Sequence, residues 1–263
     1  MNIEKLIEIL RKENIPTFGI APAELMDNEE IGFRPKDVLP SAKTVLCFGL
    51  QIPDSIYQLR DNKTEMIWRA QNLLYRKLDS ISLLISSIVE QEGFEAVPTI
   101  GCIPLTMNSS RQIVGYINQI KMAELVGIGF IGKNGMLVND QFGPRLMLGG
   151  IITSAEMQRM CFPINKRNKC PEECMICIDN CPVKAIERTT KKVNSMKCLS
   201  YTARINSFSK IIYGMFLLTN RKRAIRYLNT KSFDEHTFHI CSECVIRCPM
   251  GKSEGRKRSD NIK

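Results

Sequence analysis

Four cysteines fall within residues 170–181, at Cys170, Cys174, Cys177 and Cys181, and Pro182 follows the last. Near the C-terminus Cys241, Cys244 and Cys248 repeat the arrangement, with Pro249 after the final thiol, and Cys198 stands between the two groups. A thiolate is both a nucleophile and a soft metal ligand, and repeated gaps of two or three residues let one turn present several thiolates to a common centre. The chain holds 11 cysteines, an odd number. Its opening stretch "MNIEKLIEILRKEN" mixes acids and bases in an amphipathic pattern, unlike the unbroken apolar run of an export signal. Metal ligation is therefore the expected use of these thiols, ahead of disulfides.

The spacing has a precedent in the bacterial two-cluster ferredoxins, C-x2-C-x2-C-x3-C-P, where the cysteine before proline crosses to the other cluster. Here that rule gives one 4Fe-4S cluster to Cys170, Cys174, Cys177 and Cys248, and a second to Cys181, Cys198, Cys241 and Cys244. The x2 turn aims backbone amides at sulfur, and the x3 gap opens a helix that carries the last thiolate away. This chain departs from the rule in two places. Its first gap is x3, which makes Cys161 the substitute should Cys170 not ligate, and a long insertion separates Cys198 from Cys241. Paired C-x2-C motifs also build tetrahedral zinc sites; the Cys-Pro after an x3 gap at both motifs favours clusters. Cys47 and Cys102 lie in apolar, strand-like contexts and read as core, while His236 and His239 read as surface residues.

A second stretch with chemical potential is "GIGFIGKNG", residues 127–135. It matches G-x-G-x-x-G at Gly127, Gly129 and Gly132, yet it follows a helical segment and leads into a strand, the reverse of a dinucleotide fingerprint. The phosphate-loop reading fails at Asn134, where a hydroxyl residue is required. What remains is a helix-to-strand loop whose glycines admit close approach, with Lys133 and Asn134 as donors.

These sites need a scaffold, and the first 160 residues supply an α+β pattern. Residues 2–13 read as helix and "TVLCFGL" (44–50) as a buried strand. Ile67, Ala70, Leu74, Leu78, Ile81, Ile85 and Ile88 mark one amphipathic helix over 62–92, with Gly93 at its end. Strands are expected at 94–100 and 145–153, a helix at 117–126, and another at 208–228. All the closely spaced cysteines follow residue 160, so the boundary falls at 155–165, giving domains 1–160 and 161–263.

Taken in order, "AELVGIGFIGKNGMLV", "FGPRLMLGGIIT" and the two split cysteine motifs resemble the epoxyqueuosine reductase family and its reductive-dehalogenase relatives. The resemblance runs from about 118 to 250. It implies a nitroreductase-like α+β corrinoid-binding domain that holds base-off cobalamin, followed by a bacterial two-cluster ferredoxin-like domain. It also places Gly129, Lys133 and Asn134 at the corrinoid and the eight cysteines at the clusters. The Arg-Tyr…Asp-Tyr-His stretch that supplies a proton donor in the tRNA-modifying members has no counterpart, and neither does their HEAT-like tail. The expected function is electron transfer through two 4Fe-4S clusters to cobalamin for reductive chemistry on an unknown substrate. The alternative is an electron carrier or corrinoid-handling protein with no substrate of its own.

Lys and Arg total 37 against 27 acids, a net charge of +10. Such a field favours an acidic redox donor of the ferredoxin or flavodoxin class, or RNA. No apolar run reaches the roughly 18 residues of a membrane span, so a soluble, cytoplasmic protein is expected. Asp61, Tyr57, Tyr116 and Glu124 are the proton-donor candidates by position.

Overall fold

The computed structural model describes residues 3–101, 105–108, 113–163, 166–190, 192–202, 211, 215 and 241–251. The expected helix at 208–228 lies outside the described residues except for Ile211 and Met215, and Cys102, His236 and His239 lie outside them as well.

The apolar run at 44–50 becomes β2 (Thr44–Gln51), and it is unbroken because the strand is covered on both faces. β2 lies at the centre of an antiparallel sheet. Its neighbours are β1 (Thr17–Pro22) and β8 (Leu146–Thr153); β3 (Ala96–Thr99) and β9 (Met160–Phe162) form the edges, in the order β3-β8-β2-β1-β9. The register sets Cys47 opposite Gly150 and Gly19 opposite Cys161. Alternation then sorts the side chains. Leu46, Phe48, Ile20 and Ile151 turn to one face, where α1 (Ile3–Lys12) supplies Leu6 and Leu10, and α3 (Lys63–Gln91) supplies Leu78, Ile81 and Ile85. Val45, Cys47, Leu148 and Ile152 turn to the other, against Met122 and Ala123 of α4 (Gln119–Leu125) and against Leu39, which follows the short α2 (Pro35–Val38). Each fully buried Leu or Ile contributes about 1.5–3 kcal/mol. Cys47 is thus core, as expected, and burial raises its thiol pKa.

Pro98 interrupts β3 at an edge, where a strand tolerates the missing donor. A hairpin of β4 (Leu105–Met107) and β5 (Ile113–Gly115) precedes α4. The Gly-rich loop then folds into a second small hairpin, β6 (Phe130–Ile131) with β7 (Leu137–Val138), before the chain re-enters the sheet at β8. Beyond β9 the regular elements are short: α5 (Ile176–Asp179), α6 (Ser195–Thr202) and α7 (Glu243–Ile246). No helix among the described residues is long and apolar enough to cross a membrane.

Candidate metal centre

The cysteine-rich segment is held against the β6–β7 hairpin by backbone and buried polar contacts. Asp140 accepts the amides of Lys166 (2.6 Å) and Arg167 (3.1 Å), which brings the chain to Cys170. There Gly132 leaves room: a Cβ at that position would lie 2.7 Å from Val138 Cγ2, 2.9 Å from Asn134 Oδ1 and 3.6 Å from the Cys170 sulfur. The next turn closes with Cys174 N–H donating to Pro171 O at 3.1 Å, and α5 carries Cys177 into a buried position. The amide of Ala185 donates to Cys181 Sγ at 3.2 Å. Backbone amides that donate to sulfur stabilise thiolate ligands.

Cys248 arrives from the other end. α7 delivers it, and the residues after it are locked in place. Gly143 and Gly251 both have positive φ (57° and 68°), and a Cβ on Gly251 would lie 2.0 Å from Gly143 N. Arg145, whose side chain is 3% exposed, lies 3.1 Å from Asp54 Oδ1 through Nε. Its Nη2 donates to Met250 O (3.2 Å) and Gly251 O (2.7 Å).

Cys170, Cys174, Cys177 and Cys248 thereby line one recess of about 340 Å³, measured with its open mouth, together with Lys133, Asn134, Val138 and Met250. Burial pushes the Cys177 thiol up to about 11, and its other perturbing neighbours are those same three thiols. A second set forms around Cys244, which burial pushes up to about 12 with Cys198, Cys241, Cys177 and Cys181 as its electrostatic neighbours. Cys198 is raised by burial and by Cys181, and Cys241 by burial and by Cys198 and Cys181. The thiols thus gather in the two groups expected from the spacing, and Cys177 and Cys244 bring those groups side by side. Thiols crowded in a desolvated site resist ionising together unless a cation offsets the charge, which is the condition iron meets.

Cys161 sits in β9 packed against the sheet core, with its sulfur 3.3 Å from where a Cβ on Gly127 would be.

The three positions assigned to the corrinoid are differently engaged. A Cβ on Gly129 would meet Val138 O at 2.7 Å. The Lys133 ammonium donates to Pro171 O (2.9 Å), Glu172 O (2.6 Å) and Cys174 O (2.9 Å). Asn134, 7% exposed, accepts from Met136 N–H and donates to Cys244 O at 3.4 Å. The donors of Lys133 and Asn134 face the cysteine loops.

The proton-donor candidates do not converge. Glu124 accepts Ile131 N–H (3.0 Å) and pairs with Lys121. Tyr116 OH donates to Pro98 O and accepts Ile100 N–H. Tyr57 is buried and Asp61 exposed. The sequence reading missed Asp79, half-buried beside Tyr116 and accepting Gly101 N–H at 3.0 Å. Its signal was an acid next to Leu78 on the packed face of α3.

A family model described as a 4Fe-4S double cluster binding domain matches residues 169–251. An epoxyqueuosine reductase from Staphylococcus aureus is 23% identical over 238 residues, 87% of this chain and 53% of that protein. The chain is similar to the epoxyqueuosine reductases over most of its length. The solved epoxyqueuosine reductase from Streptococcus thermophilus shares its fold, with TM-score 0.60 and 19% identity over 95% of this chain and 66% of that one. A reductive dehalogenase, whose structure suggests a mechanism for B12-dependent dehalogenation, reaches TM-score 0.53 at 11% identity over 88% of this chain and 36% of that one. The expected α+β architecture with a double-cluster module therefore stands. The chain spans about half the length of the curated relatives it matches.

Proposed function

We propose that this chain is an iron–sulfur oxidoreductase with one 4Fe-4S cluster on Cys170, Cys174, Cys177 and Cys248 and a second on Cys181, Cys198, Cys241 and Cys244. The observation that carries this reading is the recess, where three thiols of one loop and a fourth from residues more than seventy positions later share a wall. The clusters supply one-electron chemistry at low potential. The chain's own residues hold the thiols, exclude water from Cys177 and Cys248, and set the amides of the ligand turns. The division of labour follows the chain: residues 1–160 face the acceptor and 161–263 carry electrons, with β9 remaining in the first sheet.

The acceptor we propose is a B12-class cofactor. Its support is likeness of fold to the reductive dehalogenase. Basic side chains around the second cysteine set, Lys184, Arg188, Lys192 and Lys197, are exposed and suit an acidic donor of the ferredoxin or flavodoxin class. The tRNA stem loop solved with one epoxyqueuosine reductase is that protein's ligand.

Anaerobic iron and sulfide analysis tests the reading: about eight of each per chain are expected for two cubanes, and stoichiometric zinc in their place would falsify it. Cys170→Ser is expected to lose one cluster and Cys161→Ser to keep both. Titration with cobalamin, followed by its visible spectrum, tests the acceptor separately.

A further inference from the structure

The Gly-rich loop holds a lysine whose ammonium reaches three carbonyls of one ligand turn. We propose that Lys133 is a positioning residue for the cluster at Cys170, Cys174, Cys177 and Cys248. By clasping the carbonyls of Pro171, Glu172 and Cys174, it fixes the orientation of that turn and raises the cluster's reduction potential. The inference rests on the cluster assignment proposed above.

In a trans peptide the C=O and N–H point in opposite directions. Three carbonyls drawn to one ammonium therefore turn the N–H groups of Glu172, Glu173 and Met175 away from it. A ligand turn left free would sample other peptide orientations, and the orientation of amide dipoles near sulfur is one of the levers that set cluster potential. The charge acts in the same direction. Reduction adds an electron, and a cation at the wall of the recess stabilises the more negative state. Lys133 is only partly exposed and lines that wall itself, so its field is less screened than a surface lysine's. Lys169, by contrast, pairs with Glu172 where both side chains are largely exposed (73% and 81%), a contact with little leverage.

The effect is selective by construction. All three acceptors of Lys133 belong to the first ligand set, whereas the neutral Asn134 beside it reaches the second, at Cys244 O. One charged and one uncharged side chain of the same loop thus address different clusters.

The test is a redox titration of the anaerobically purified full chain, read by electron paramagnetic resonance, comparing wild type with Lys133→Gln and Lys133→Arg. Gln keeps a donor without the charge, and Arg keeps the charge. The expected result is a more negative midpoint for one cluster in Lys133→Gln, the other unmoved, and near-wild-type midpoints in Lys133→Arg. Loss of half the iron in Lys133→Gln with full retention in Lys133→Arg supports the same role. Unmoved midpoints with full iron in Lys133→Gln, equal shifts of both clusters, or equal damage by Arg and Gln would each overturn it. Wild-type protein without iron and sulfide would instead defeat the cluster assignment, a distinct outcome.

Discussion

At the scale of single residues, the described chain uses its polar groups to brace loops. Glu124, Tyr116 and Asn134 each bind backbone, and Asp79 does the same under partial burial. Burial raises the Asp79 carboxyl above its ordinary value of 3.8. A carboxyl raised in the folded state favours folding fully below the unfolded value and loses that contribution as pH climbs through the folded one. Asp79→Asn keeps an acceptor for Gly101 N–H and removes the charge. Its stability relative to wild type is expected to increase as pH rises above the ordinary carboxylate value, measured by denaturant unfolding; a gap independent of pH would refute the account. The grouping of the cysteines was legible from spacing because the gap between thiols within one turn is a local matter. The neighbours of the Gly-rich loop were not. What a glycine admits, here Cys170 beside Gly132, is decided by a contact 38 positions away in the chain.

At the scale of elements, the helices and strands with strong periodicity were read within a few residues. α1, β2, α3, α4 and β8 all fall where the apolar spacing places them. β1 and β9 were missed. "TFGIAP" carries a glycine and a proline, and β9 has only three residues, so neither shows a pattern of its own; both are strands because β2 and β1 offer edges. The same spacing argument ranks positions on α3. Leu78 is fully buried beneath the sheet and Leu73 is 62% exposed. Leu78→Ala is expected to cost about 2–5 kcal/mol and Leu73→Ala less than about 0.5 kcal/mol, both read from urea unfolding. Similar losses at the two positions would mean that α3 is not packed as described.

At the scale of the whole molecule, the sheet and the cysteine loops are tied together through one segment, residues 127–145. Lys133 holds the Cys170–Cys174 turn, Asn134 touches the Cys244 loop, Asp140 anchors residues 166 and 167, and Arg145 grips Met250 and Gly251. Arg145→Met removes a buried cation from Asp54 and two carbonyls at once. A loss of about 3 kcal/mol is expected, accompanied by iron loss from the set that contains Cys248; full iron retention at unchanged stability would show that the tie carries no load. The recess has one further consequence. Its thiols come from residues 170–177 and from Cys248, on the far side of the long insertion. On a ribosome, the upstream thiols emerge well before their partners, so a nascent chain offers delivery machinery only half a socket. On the cluster assignment proposed above, loading of the set that contains Cys248 waits until translation has passed that residue, and a stall inside the insertion leaves the early thiols open to oxidation or to capture of the wrong ion.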